Sequence, residues 1–397
     1  PVLNGLGNLR LKTVRLRDDA DFKRQGDRPT LAPWTDEVHR QPPVVLDWYP
    51  KIQALTSARG QPPVQEAERQ SHTLGQSHIA FFDLDKIYFE LQRFKNERSW
   101  FNLNLSREKI LELLSNPDWY RLYIPADMLE FTTFQRVLQW QEIAIALLKK
   151  YCDRYYKYFK SKYESDFLEY AELTPGDPNF FDQYNILVEQ SREDIIARLT
   201  ELKTLIETGQ MRDLEYQGLH AIMFQQHLYQ PLLYIAQGFI EVKPVALNEG
   251  ERDFVLDLRT FYTQHPEFFR GMELYLLRNR SRGHGIGFFE AGNFYPDFLL
   301  WLVAGNQQRI AFIDPKGIRN LEGANDPKIK FYETIKGLES RLGDPNVVLH
   351  SFILSNTPYQ QIAFWERSKE ELEAHHVLFQ ADDKRGYIQK LLTAALQ

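Results

Sequence analysis

Three stretches near the C-terminal end constrain the fold most. Residues 298–303 and 310–313 are unbroken apolar runs of strand length, and residues 346–354 form a third, largely apolar run. Runs this short and this apolar read as buried strands. Helical patterns stand around them. Residues 249–262 place Phe254, Val255, Leu258 and Phe261 on one side of a helix, residues 272–277 read as a strand ahead of the first apolar run, and residues 287–289 as another. Asp326 followed by Pro327 is an N-cap with proline at the first helical position, which predicts a helix to about residue 342. Residues 359–375 and 384–396 read as closing helices. Counting the longer strands, the order α-β-β-β-α-β-α predicts a mixed α/β domain over residues 237–397.

A chain of 397 residues is too long for one small core and implies two or three domains. Residues 78–236 read as a helical domain. Ser106 is placed to cap a helix whose apolar side is Leu111, Leu113 and Leu114. Residues 126–163 carry Leu129, Val137, Leu138, Ile145 and Leu148 at helical spacing, and two further helices are expected near 184–208 and 214–236. Residues 1–77 are interrupted by Pro29, Pro33, Pro42, Pro43, Pro50, Pro62 and Pro63, and read as an irregular connector with one strand over 9–16. The expected class is α+β: a mostly helical N-terminal and middle region, then a mixed α/β domain.

Net charge is −6, so any contact with nucleic acid has to rest on local positive charge. A single cysteine, Cys152, excludes a disulfide framework and a cysteine-rich zinc site, and fits a reducing, cytoplasmic setting. No apolar run approaches the roughly 20 residues that span a bilayer, so no membrane partner is expected. The chain begins at Pro1 rather than at a methionine, and a longer parent protein is expected.

Each of the first two apolar runs carries a carboxylate at one end. Asp297 follows Pro296 at a strand start, where a missing N–H is tolerated, and Asp314 stands where residues 310–313 end, with Lys316 two residues on. Alternation along an extended chain puts Asp314 and Lys316 on one face, and adjacent strands would bring Asp297 to both. Two carboxylates in contact repel unless a hard cation neutralises them. Mg²⁺, or Mn²⁺ in its place, prefers such oxygen ligands, and the carbonyl of Pro315 is a further candidate ligand. A bound metal acidifies its water and a lysine steadies developing charge, which together suit phosphodiester hydrolysis. On its own, an Asp-x-Lys at a strand end is more often a surface ion pair. The upstream Pro296-Asp297 strand and the flanking helices separate this instance from that background.

Pro296-Asp297 followed by Asp314-Pro315-Lys316, in an α-β-β-β-α-β order, resembles the PD-(D/E)xK nuclease superfamily, the fold of many restriction endonucleases. Residues 224–233 and 247–255 are similar to the region ahead of the nuclease in type III restriction-like DEAD/DEAH helicase-nucleases. The resemblance covers residues 219–356 best. It implies catalytic roles for Asp297, Asp314 and Lys316, and a metal-binding glutamate from the first helix. Glu251 is the candidate and Glu249 the competitor. Both would otherwise be first-turn acids complementing the helix dipole. It also implies a Mg²⁺- or Mn²⁺-dependent endodeoxyribonuclease acting on DNA, attached to or partnered by an upstream ATP-driven helicase motor in restriction or phage defence. The alternative is a retired nuclease fold that binds DNA or docks the motor.

Other residues are weaker candidates. Glu290 faces the metal or caps a turn. Arg278, Arg280 and Arg282 meet phosphates or form a solvated loop. Lys149, Lys150, Arg154, Lys157, Lys160 and Lys162 alternate with Tyr151, Tyr155, Tyr156, Tyr158 and Phe159. That helix fits a nucleic-acid face, but a core of aromatics with lysines toward water is the favoured reading. Asp36-Glu37 spells part of a helicase box without the apolar strand or phosphate loop it needs, so no ATP hydrolysis is expected. The glycines at 283, 285 and 287 run into a strand rather than a helix, and His375 and His376 have no cysteine partners.

Overall fold

The computed structural model describes residues 2–3, 10–34, 43–48, 70–189, 191–210, 212–236, 240–244, 246–280, 294–318, 321, 323–324, 326–365, 367–383 and 385–397. They form two compact units, Asp18–Asp166 and the remainder, Pro1–Arg17 with Phe167–Gln397.

The Asp18–Asp166 unit is built on a 32-residue helix, Phe134–Ser165. One side of it buries Trp140, Leu148, Tyr151, Tyr155 and Tyr156 against helices Leu84–Glu97 and Arg107–Ser115. Asp83 and Ser106 cap those two helices through their side chains. A small sheet joins Val44–Asp47, Tyr120–Tyr123 and Ser71–His72. Phe22, Leu31, Val44 and Leu74 lie in the same core, and Tyr151 and Tyr155 donate to the carbonyls of Ala32 and Thr30. This corrects the connector expected over residues 1–77. Its described part beyond Arg17 is core of this unit, and Lys12–Leu16 is a strand of the other, paired antiparallel with Leu168–Glu172. The basic-aromatic helix follows its favoured reading. The tyrosines at 151, 155 and 156 are buried, Lys149 pairs with Glu90 at 3.0 Å, and Lys150 donates to the Val45 carbonyl at 2.7 Å.

The second unit departs from the helical domain expected to run to residue 236. Asn185–Val188 pairs with Ile240–Lys243, and Leu214–Tyr216, Leu219–Ile222 and Leu232–Ile235 form a three-stranded meander. Among these strands stands the helix Glu193–Glu207, close to its expected place. The expected helix over 214–236 fails for a local reason. Gln217 and Gly218 both take positive φ, 43° and 83°, the geometry of a tight two-residue hairpin. Pro231 then removes a helical N–H donor.

The rest of the unit is a mixed five-stranded sheet with helices against it. The helix α1, Glu249–Gln264, precedes β1 (Glu273–Arg278), β2 (Phe298–Ala304) and β3 (Gln307–Lys316). The helix α2, Pro327–Leu342, then leads to β4 (Val347–Ser355), and a short β5 (Val377–Leu378) closes the edge. The strands lie in the order β1-β2-β3-β4-β5. The first two pairings are antiparallel, and β3 with β4 and β4 with β5 are parallel. The α1-β1-β2-β3-α2-β4 order is that read from the apolar runs, and the class is mixed α/β. Both ends of α2 fall as expected, with the Asp326 side chain accepting from Lys328 N–H and Gly343 at φ 66° closing the helix. Phe254, Val255 and Leu258 of α1 are fully buried with Phe298, Trp301, Phe312 and Phe352. Each such side chain contributes roughly 1.5–3 kcal/mol. The expected strand over 287–289 lies outside the described residues. Among the described residues no helix is long and apolar enough to cross a membrane.

Candidate functional site

The register of β2 on β3 builds the site. Phe298 stands opposite Ile313, so the next pair outward is Asp297 opposite Asp314. Directly opposed side chains share a face, and Lys316, two residues beyond Asp314, shares it too. The Lys316 Nζ is in direct contact with the Asp314 carboxylate, and it lies 5.5 Å from the centre of the Phe294 ring. Asp297, Asp314 and Lys316 are therefore gathered as the alternation argument expects.

Asp314 is buried, and Asp297 is partly buried. The Asp297 carboxyl is pushed up to about 9, first by burial, then by the charges of Asp314 and Glu251, with Arg278 pulling the other way. Burial and the neighbouring acids therefore favour the neutral form of the Asp297 carboxyl, a cost that a bound cation would remove. The segment that carries Asp297 is clamped by a residue without a signal in the sequence. Asn279, itself buried, donates its backbone N–H to the Asp297 carbonyl at 2.8 Å and its side-chain amide to the Pro296 carbonyl at 2.8 Å.

Pro315 carries no N–H, and the backbone around it accommodates that. The Lys316 carbonyl accepts from Asn356 N–H at 3.0 Å on the β4 side. Alternation turns the Pro315 carbonyl to the opposite edge, toward the β2 side where Asp297 stands.

Glu251 sits in the first turn of α1 and is buried. It forms a capping box with Asn248: its Oε2 accepts from Asn248 N–H at 3.0 Å, and its own N–H donates to Asn248 Oδ1 at 2.9 Å. The same Oε2 accepts from Arg278 Nη2 at 2.9 Å. The placement at a helix start was legible, and the arginine partner was not.

Arg278 differs from the solvated basic loop considered for it. It is the last residue of β1, only 17% of its side chain is exposed, and its Nη2 also donates to the Ala246 carbonyl at 3.1 Å. Its backbone N–H donates to Nε2 of the fully buried His227 at 2.8 Å. The His227 Nδ1 lies 2.5 Å from the Tyr229 carbonyl, so Nδ1 carries the proton and Nε2 accepts. Burial pulls His227 down to about 3, which keeps the ring neutral in that role. Arg280 is also engaged, with its Nη1 donating to the Pro178 carbonyl at 3.0 Å and its backbone N–H to Asn179 at 2.8 Å. Neither arginine is a free phosphate ligand as it stands. Arg282 and Glu290 lie outside the described residues, as do Asp36 and Glu37.

The donor set suits a small hard cation. Among the described residues no three His, Cys, Asp or Glu side chains are gathered to hold a metal by themselves. Mg²⁺ does not require that, because it takes one or two carboxylates and completes its shell with water and substrate oxygens. Asp297 and Asp314 are the two carboxylates that could fill that part. The Oε2 of Glu251, expected as a third ligand, accepts from both Arg278 Nη2 and Asn248 N–H. The buried His350 and the half-buried His376, 6.1 Å apart ring to ring, form a separate pair on and beside β4, both pulled toward the neutral form by burial. No protein-family model matches the chain, and no curated protein or solved structure is significantly similar to it.

Proposed function

We propose that the sheet unit is a divalent-metal-dependent nuclease of the restriction-endonuclease-like kind, hydrolysing phosphodiester bonds in DNA. The observation that carries the reading is the cross-strand opposition of Asp297 and Asp314 with Lys316 against them. Structural ion pairs do not need two carboxylates facing each other below a lysine, and that opposition costs stability. Asp297 and Asp314 would hold Mg²⁺ or Mn²⁺, with the Pro315 carbonyl aimed at the same edge. A divalent ion held there supplies charge neutralisation and an acidified water. Lys316 offers its ammonium to the charge that grows on the phosphoryl oxygens. Asn279 fixes the backbone of Asp297, and Phe294 keeps one side of the lysine apolar. The chain would serve as the cutting part of a larger restriction or defence helicase-nuclease, in the cytoplasm, with the ATP-driven motor supplied elsewhere.

The test is cleavage of end-labelled duplex DNA, single-stranded DNA and RNA with Mg²⁺ or Mn²⁺. Wild type is expected to cut DNA only with metal, and Asp297→Asn to lose at least about 100-fold in rate. A folded wild type that binds DNA and cleaves none of these substrates would favour a retired nuclease fold that docks DNA or the motor.

A further inference from the structure

The charges around the site divide unevenly. Lys316 is bound to Asp314, and Arg278 to Glu251, while Asp297 has Asn279 on its backbone and is raised by the two neighbouring acids. Glu251 is buried to 7% side-chain exposure, where an ionised carboxylate needs a dedicated partner. That partner is rigidly mounted. Arg278 ends β1, its backbone N–H is held by His227, and its Nη2 also reaches the Ala246 carbonyl ahead of α1. Arg278 stands opposite Phe298 across β1 and β2, next to Asp297, so Arg278 and a divalent ion at Asp297 would compete for the same acid.

We propose that Arg278 is an internal counter-ion that holds Glu251 out of the divalent-cation set, so that the site takes its ion on Asp297 and Asp314 at reduced affinity. This rests on the nuclease reading above and adds a positioning residue to it. It assigns Arg278 a role other than phosphate binding. Its physical basis is that two carboxylates bind a hard cation less tightly than three, because affinity rises with the number of charged ligands. An anchored guanidinium also needs no reorganisation to hold the third acid aside.

The experiment is a Mn²⁺ titration by calorimetry, with thermal melts of the same full-length proteins. Arg278→Gln is expected to bind Mn²⁺ about five- to tenfold more tightly than wild type, to melt lower without metal, and to gain more from Mn²⁺. In the double variant Arg278→Gln with Glu251→Gln the tighter binding is expected to disappear, because the gain runs through Glu251. A purely structural arginine would lower the melting temperature with no gain in affinity, and that result would overturn the inference. So would a double variant that keeps the gain. If Arg278→Gln does not fold without metal, Mn²⁺ is expected to restore it, by replacing the lost positive charge; failure of that rescue counts against the inference. Wild type that binds no Mn²⁺, with Asp297→Asn indistinguishable from it, removes the nuclease reading itself. Wild type that binds Mn²⁺ while Arg278→Gln binds no more tightly removes only the role of Arg278.

Discussion

The ionisation of Asp297 bears directly on the stability of the metal-free protein. Its carboxyl stands near 3.8 in an unfolded chain and is raised to about 9 in the fold. A raised acid contributes its full stability below the unfolded value and loses it as pH climbs through the folded one. The metal-free protein is therefore expected to lose stability between about pH 4 and pH 9. Asp297→Asn keeps the shape and removes the titration. It is expected to melt above wild type at pH 8, by about 2–4 °C for each kcal/mol relieved, and no higher at pH 4. A lower melting temperature at pH 8, read by circular dichroism without metal, would show that the carboxylate is comfortable where it is. At this scale the sequence was informative where alternation alone decides. Asp314 and Lys316 share a face because they are two apart on a strand, and Asp297 joins them because the adjacent strand is antiparallel. Arg278 was opaque for the opposite reason. Its partner Glu251 is 27 residues away on a helix, and three arginines spaced two apart look the same in a wet loop as at a buried strand end.

Elements were legible in proportion to their length and punctuation. The helix α2 is bounded by Asp326-Pro327 at one end and Gly343 at the other, and the strands β2, β3 and β4 are apolar beyond what any exposed segment tolerates. Residues 214–236 were misread because short apolar runs satisfy helical and extended spacing equally well. The deciding signals there are the Gln217-Gly218 pair and Pro231, which are turn chemistry rather than periodicity. The hairpin account has its own check. Gly218 sits at φ 83°, a conformation that costs an L side chain about 1 kcal/mol or more. Gly218→Ala is expected to lower stability by about that amount in a urea melt, with the sheet site unaffected in Mn²⁺ binding. An unchanged midpoint would mean that the turn does not hold that conformation.

For the whole molecule, the division into Asp18–Asp166 and the remainder was hidden because the second unit draws two strands, Val2–Leu3 and Lys12–Leu16, from the chain ahead of the inserted one. A linear reading assigns Lys12–Leu16 to a connector, since its partner Leu168–Glu172 lies about 155 residues on. Each unit has its own buried core, so scanning calorimetry is expected to show two unfolding transitions. Mn²⁺ is expected to raise only the transition of the sheet unit, and not at all in Asp297→Asn. A single transition that shifts as a whole would argue for one cooperative body. The central claim is that two aspartates bind a metal which Lys316 then exploits, and the direct measurement is Mn²⁺ binding and metal-dependent DNA cleavage in the same preparations of wild type, Asp314→Asn and Lys316→Ala. Asp314→Asn is expected to lose both. Lys316→Ala is expected to keep Mn²⁺ binding within a few-fold, because the lysine only competes with the ion for Asp314, and to lose cleavage by at least about 100-fold; cleavage by Lys316→Ala at the wild-type rate, or Asp314→Asn retaining both properties, would contradict the account.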